Sequence, residues 1–320
     1  MSAQTLPARA ARRARNKASA WVRPPLWKLA QARPFAFAHV PVELSFRLAY
    51  NVLLRREPDP DAVKTYLPRL VSGELSRQDL VDHLRGSDEF IARTPMGPAA
   101  LGPSLHASRC DFIRQLPPAH RILDLGGTHT ANPWGALVLM GYPYDFEALT
   151  IVDLPPDERH PLYRTDPFEP VTTWRGPVSY SYHSMTDLSS FADESFDLVY
   201  SGQSIEHVTP QDAKIVANEV LRVLKPGGFF AVDTPNAAVT RLQSAEFIDP
   251  DHEIEYTAGE LRDLLTSTGF VVSAELGLNL AERSLSEGRF ILEEVVGNRG
   301  VFRRADRCYL LAFVVAKPGD

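Results

Sequence analysis

Three stretches of the chain carry residue types at a spacing that can do chemistry. Residues 121–133 read Arg-Ile-Leu-Asp-Leu-Gly-Gly-Thr-His-Thr-Ala-Asn-Pro: an apolar run reaches Asp124, breaks at Gly126-Gly127 and continues through polar Thr128-His129-Thr130. A buried strand that breaks at glycines and feeds a helix is how open α/β sheets make a ligand crevice, because glycine lets backbone N–H groups approach a ligand closely. Asp153 closes a second apolar run, Leu149-Thr150-Ile151-Val152. An acid at that position can accept both hydroxyls of a ribose. The third stretch, from Phe196 to Val208, runs as a buried strand into the polar loop Ser201-Gly202-Gln203-Ser204 and then Glu206-His207. His207, at the crevice mouth, and His252, in Asp249-Pro250-Asp251-His252, are the candidate general bases. His129 and His183 are weaker candidates to face the same pocket.

Alternating strands and helices must hold these residues. The hydrophobic pattern predicts strands at 121–125, 149–154, 178–183, 196–201, 228–234, 269–277 and 308–317. Helices fill most of the gaps. Asn132-Pro133 predicts an N-cap followed by a first helical residue, with the helix itself at 134–140 before Gly141. A second helix at 211–224 stops at Lys225-Pro226-Gly227-Gly228. A third at 257–267 opens on Thr257 and Glu260, a capping box, and stops at Gly269. Such alternation implies a mostly parallel sheet.

Taken in order, Asp124-Leu125-Gly126-Gly127, Asp153, Ile205-Glu206-His207-Val208 and Leu224-Lys225-Pro226-Gly227-Gly228 resemble the class I S-adenosylmethionine-dependent methyltransferases, over roughly residues 121–318. The segment His252 to Thr257, with Glu260-Leu261 and Thr268-Gly269-Phe270, is also similar to that family's late region. The resemblance implies a Rossmann-like seven-stranded sheet with the last strand antiparallel and inserted before the sixth, and S-adenosyl-L-methionine as cofactor. It implies that Asp124, Gly126, Gly127 and Thr128 cradle the methionine part and that Asp153 holds the ribose. Ser184 and Met185 would lie by the adenine, and Ser201, Gly202, Gln203 and Ser204 would line the cofactor. Thr128 and Thr130 stand where the family has its second and third glycines.

No metal-ligand set is assigned. Asp249, Asp251, His252 and Glu255 are clustered hard donors of the kind that suits Mg2+. However, Ser201-Gly202-Gln203 lacks the acid that metal-dependent members carry at the end of the fourth strand. Two loops are candidates for the acceptor side: the acidic, Pro-stiffened 153–160 and the Arg/Glu-rich insertion 284–304.

The chain has 320 residues, 44% hydrophobic and 23% charged, which is an ordinary globular composition. Cys110 and Cys308 have no metal or redox spacing and read as thiols in a reducing, cytoplasmic setting. No apolar run approaches the roughly 20 residues of a membrane-spanning helix. The net charge of −6 argues against nucleic acid as a partner, yet it hides an asymmetry. No acid precedes Glu43, whereas eight bases do, from Arg9 to Arg33, interleaved with Trp21, Trp27, Phe35 and Phe37. This arm, 1–42, reads either as a solubilising extension or as a peripheral contact with an anionic membrane face.

Residues 43–95 predict a small all-α domain, and 96–106, rich in Pro, Gly and Ala, a linker to the methyltransferase-like part at 107–320. Asp59-Pro60 starts a helix that Gly73 closes; Ser76 and Asp79 start another that ends near Phe90. Tyr50, the run Leu53 to Asp59, Leu67, Leu70, Ser72 to Arg77 and Ser87 to Phe90 resemble a bacterial helical domain of unknown function often found beside glycosyltransferases. That family's usual glycine is absent at Asp61-Ala62-Val63. Its company implies an O-methyltransferase acting on a sugar hydroxyl in a polysaccharide or glycolipid. The alternatives are a small lipid or other hydroxylated metabolite as acceptor, or a non-catalytic cofactor-binding module. Oligomeric state is not legible.

Overall fold

The computed structural model describes residues 40–54, 56–85, 87, 89–90, 100–159 and 164–319. Most of the basic arm, the start of the expected linker and His160 of the acidic loop lie outside them. The chain divides at Ser87/Asp88 into two compact units.

In the first unit, α1 (Val42–Leu54) buries Phe46, Tyr50 and Leu54, one residue every helical turn. Asp59 caps α2 (Pro60–Ser72) by accepting from Ala62 N at 2.8 Å, and Gly73 closes it at φ 77°. Ser76 and Asp79 exchange side-chain-to-backbone hydrogen bonds of 3.0 Å at the start of α3 (Arg77–Arg85). That helix is described to Arg85, and Glu89 and Phe90, near the expected end, are again helical.

The second unit begins with α4 (Leu101–Ile113), so helix occupies the later part of the expected linker 96–106. Ser104 and Ser108 are buried on it, where Ser104 Oγ donates to Val296 O (2.9 Å) and Ser108 Oγ accepts from Gly300 N (2.8 Å). Composition reads these residues as a linker because the contacts that fold them lie almost 200 residues away. Next come β1 (Arg121–Leu125), α5 (Gly135–Leu139), β2 (Ala148–Asp153), β3 (Val171–Thr172), β4 (Pro177–Tyr182) and β5 (Phe196–Gly202). They are followed by α6 (Pro210–Val223), β6 (Leu224–Pro235), α7 (Ala237–Gln243), α8 (Ala258–Thr268) and β7 (Val271–Leu280). The chain then forms α9 (Glu282–Glu287), α10 (Leu292–Gly297), β8 (Val301–Phe302) and β9 (Cys308–Ala316).

These strands form one sheet in the order β3-β4-β2-β1-β5-β6-β9-β7-β8. β4, β2, β1, β5 and β6 run parallel, and β9 lies antiparallel between β6 and β7. The sheet has nine strands among the described residues, not the expected seven. β3 and β8 are two-residue strands added antiparallel at the two edges. Pieces that short have no periodicity to read, and they blunt the edges against further pairing.

Alternate residues of the central strands enter two hydrophobic cores. Leu123, Leu125, Val199, Phe230 and Val232 join α6 and α8 on one face. Ile122, Leu198, Tyr200 and Ala231 join α4, α5, α7 and α10 on the other. Each parallel strand therefore delivers its following loop to one carboxyl edge, between two helical layers. On α6, Ala213, Val216, Ala217 and Val220 are fully buried at helical spacing, and Thr209 caps the start by accepting from Asp212 N at 3.2 Å. The capping box at Thr257 and Glu260 is present in full on α8. Among the described residues no helix is long and apolar enough to cross a membrane.

Candidate active site

The turn after β1 is shaped by its two glycines. Gly126 sits at φ 75° and donates to Val152 O at 2.8 Å, and a Cβ there would come within 2.7 Å of Ser204 Cβ. A Cβ on Gly127 would land on Asp124 Oδ2. Gly127 O accepts from Ala136 N at 2.8 Å, which ties the turn to α5. The helix start differs from expectation: Trp134 occupies the N-cap and α5 begins at Gly135, at φ 77°. Asn132 instead accepts from Trp134 N (2.9 Å) and bridges to His129, so Asn132-Pro133 belongs to a turn. The exposed His129 folds onto that same turn, its Nδ1 accepting from Ala131 N at 3.1 Å.

Asp124 is fully buried, and neither carboxylate oxygen has a hydrogen-bond partner. Thr128 Oγ1, in the same turn, is also buried without a partner. Burial drives the Asp124 carboxyl up to about 7; the Leu137 N–H, without closing a hydrogen bond, and Arg109 offset only part of this. A buried acid under a glycine that keeps its approach open is an incomplete arrangement. A ligand with positive and hydrogen-bond-donating groups completes it.

Asp153 ends β2 with its side chain mostly buried. Its Oδ1 accepts from Leu154 N at 2.8 Å and lies 3.4 Å from Arg159 Nε. Arg159 is buried, stacks 5.6 Å over the Tyr182 ring and leaves Nη2 without a partner. Sequence reasoning saw the acid but not this guanidinium, which the acidic loop folds back beside it. After β4, Ser184 Oγ lies 2.7 Å from Thr186 Oγ1 and accepts from Thr186 N, which builds a tight turn, and Met185 packs on the core. His183 is engaged locally with Ser184 O.

The end of β5 is held by a buried polar network that sequence reasoning missed. Arg109 Nε, from α4, donates to Asp233 Oδ1 of β6 at 2.6 Å. Tyr200 OH donates to Asp233 Oδ2, and Gln203 Nε2 donates to Oδ1 at 3.0 Å. Burial opposes the charge on Arg109, and Asp233 and Tyr200 more than offset that and raise its pKa. Gln203 adopts φ 55°, and a Cβ on Gly202 would run into Tyr200 OH. Ser201 Oγ lies 2.6 Å from Ser204 Oγ, which donates to Leu125 O at 2.8 Å. The loop is thereby pinned against the β1 turn, so the expected cofactor residues after β1 and β5 lie together.

Beyond Ser204 the single helical turn Ile205–His207 presents Glu206 and His207. Glu206 O accepts from Glu253 N (2.9 Å) and Ile254 N (3.2 Å), which brings His252 alongside. The two imidazoles meet edge to face, 4.9 Å between centroids. His207 Nδ1 bonds Asp251 O at 3.2 Å and His252 Nδ1 bonds Glu255 Oε1 at 2.9 Å. A carbonyl and a carboxylate only accept, so each Nδ1 carries a hydrogen, and in the neutral form of each ring Nε2 keeps its lone pair. Glu206 is fully buried; Oε2 accepts from Thr234 Oγ1 at 2.9 Å, and Oε1 has no partner. Burial raises its carboxyl to about 7. Burial, then His252, lowers the His207 pKa; for His252, burial is outweighed by the Glu255 hydrogen bond and by Glu206, and the pKa rises. The donor set weighed for Mg2+ from the sequence does not assemble. Glu255 spends its oxygens on His252 and Thr240, and the donors that converge are Glu206, His207 and His252.

Residues 145–232 match a family model described as a methyltransferase domain. A protein of Mycolicibacterium smegmatis, named as an S-adenosylmethionine-dependent methyltransferase, is 40% identical over 108 residues. That match covers 32% of this chain and 41% of the relative. A Mycobacterium tuberculosis protein of the same description is 41% identical over 86 residues, 27% of this chain and 31% of its own length. The chain thus spans well under half the length of the relatives it matches. A solved methyltransferase from Thermotoga maritima aligns at 16% identity over 68% of this chain and 91% of its own, with a TM-score of 0.46. Within the α/β unit, residues 145–232 are thus similar to a methyltransferase domain.

Proposed function

We propose that the chain is an S-adenosylmethionine-dependent O-methyltransferase whose acceptor is a hydroxyl of a sugar in a polysaccharide or glycolipid. The observation that carries the cofactor half is Asp124, a fully buried carboxylate with two unpartnered oxygens beneath Gly127. Asp124, Gly126, Gly127 and Thr128 would hold the amino-acid end. Asp153, with Arg159 beside it, would take the ribose, and Ser184-Met185 would border the adenine. Ser201, Gly202, Gln203 and Ser204 would form the wall between cofactor and acceptor. The cofactor supplies a methyl group on a sulfonium.

The protein's own work is to align an acceptor with that methyl, to keep water out and to manage the acceptor's proton. An amine or thiolate acceptor needs little help with the last of these, whereas a hydroxyl needs a group that removes or acidifies its proton. Glu206, His207 and His252, past Ser204 at the same carboxyl edge, supply that requirement. The sugar assignment rests on the resemblance of the first unit to a domain found beside glycosyltransferases.

The test is transfer of labelled methyl from the cofactor to a panel of glycans and glycolipids. The expected product carries the label in an alkali-stable ether on a sugar hydroxyl. Label appearing in an ester or an amine, with none in ethers, would contradict the acceptor class.

A further inference from the structure

We propose that Glu206, His207 and His252 form a binding site for one divalent first-row transition cation, of the Zn2+, Mn2+ or Co2+ class, at the acceptor side of the crevice. Each residue offers one ligand atom, and these atoms all lie within 4.8 Å of one another. Ligands about 2.0–2.2 Å from a cation stand roughly 3–4 Å apart, so a contraction of about 1 Å closes the set. The donors are already oriented for it. The hydrogen bonds to Asp251 O and Glu255 Oε1 fix both imidazoles with Nδ1 protonated, which leaves Nε2 as the free donor on each ring. A histidine whose other nitrogen is held by a carboxylate or a carbonyl is the usual support of a metal ligand. Glu255 is itself anchored by Thr240, so the support extends one residue deeper.

The independent observation is Glu206 Oε1. The side chain is fully buried, its other oxygen is satisfied by Thr234, and this oxygen has no partner. A buried carboxylate with one empty oxygen, grouped with two imidazoles, is costly for a protein to maintain, and a cation removes that cost. Two nitrogens and one oxygen favour a transition cation over Mg2+, which prefers oxygen and water. Three protein ligands leave positions open. His207 is only partly buried, which gives a path from solvent.

The cation's role in the reaction rests on the methyl-transfer reading above. A hydroxyl drawn to an open position becomes more acidic and releases its proton to water. The oxygen then forms the new bond to carbon as the carbon–sulfur bond breaks, and the sulfur keeps that electron pair as a neutral thioether.

The experiment uses the full chain, stripped with a chelator and titrated by calorimetry with Zn2+, Mn2+, Co2+ and Mg2+, each alone. Co2+ is also followed by its visible absorption. One equivalent of Zn2+ or Co2+ is expected, with Mg2+ at least about 100-fold weaker. His207→Ala and His252→Ala should each abolish that equivalent. Glu255→Gln, which keeps the fold but weakens the support of His252, should cost about 10–100-fold. S-adenosylhomocysteine binding is measured on the same samples. No stoichiometric Zn2+ or Co2+ binding, or binding unchanged in both histidine variants, overturns the cation site. If S-adenosylhomocysteine still binds in that case, the methyltransferase reading stands alone. Cation binding without S-adenosylhomocysteine binding keeps the site and sinks that reading instead.

Discussion

Asp124→Asn is expected to make the cofactor-free protein more stable at pH 8 and to weaken cofactor binding by at least about 100-fold. The two effects have one origin. Asp124 is fully buried, its oxygens are unpartnered, and its carboxyl titrates near 7, against 3.8 in an ordinary setting. A shift of that size is worth about 4 kcal/mol. The folded state holds the proton to higher pH than the unfolded state does. Stability is therefore intact below about pH 4, falls as pH rises toward 7, and carries the whole penalty above that. Asparagine removes the charge but buries an amide that lacks partners, at about 1–3 kcal/mol. The net gain at pH 8 is thus about 1–3 kcal/mol, and at pH 4 it vanishes or reverses. Urea denaturation at the two pH values reads this directly. In the unmodified protein, cofactor affinity should rise up to tenfold per pH unit on approaching 7 and then level off, since the proposed site binds the cofactor through the ionised acid. A less stable Asn variant at pH 8 would mean that Asp124 has partners the structure does not give it.

Arg109→Ala is expected to cost about 3–5 kcal/mol in the same denaturation measurement. Asp233 is fully buried, and Arg109 is its cationic partner at 2.6 Å. Removing the guanidinium leaves a carboxylate in a low-dielectric interior with only Tyr200 and Gln203 as donors. Asp233→Asn should cost less, because it neutralises the group that most needs compensation. The double variant Arg109→Met, Asp233→Asn should recover part of the loss. The same network sets the backbone of Gly202 and Gln203, so Arg109→Ala should also reduce cofactor affinity. A cost under about 1 kcal/mol would show that the ion pair contributes little, as exposed pairs do.

The parts of this fold that the sequence discloses are those with local causes. The strand run into Asp124 and the Thr257–Glu260 capping box depend on neighbours within a few residues, and both stand where their patterns place them. Asn132-Pro133 has the composition of a helix start, yet the tie from Ala136 N to Gly127 O delays α5 until Gly135. The helix at Leu101–Ile113 has no local signature, because distant residues bury its serines. Arg109 and Asp233 lie 124 residues apart, and neither belongs to a pattern that points at the other. Glu206 was visible only as part of a Glu-His pair. Its burial and its approach to His252 come from the loop at 253–254 folding onto its carbonyl.

The central claim is that the crevice above Asp124 and Asp153 holds S-adenosylmethionine. Calorimetry with S-adenosylhomocysteine on the full chain tests it most directly. The account predicts one equivalent bound by the unmodified protein, and binding weakened by about 100-fold in Asp153→Ala, which removes the proposed acceptor of two ribose hydroxyls. No binding by the unmodified protein, or equal binding by the variant, would contradict it.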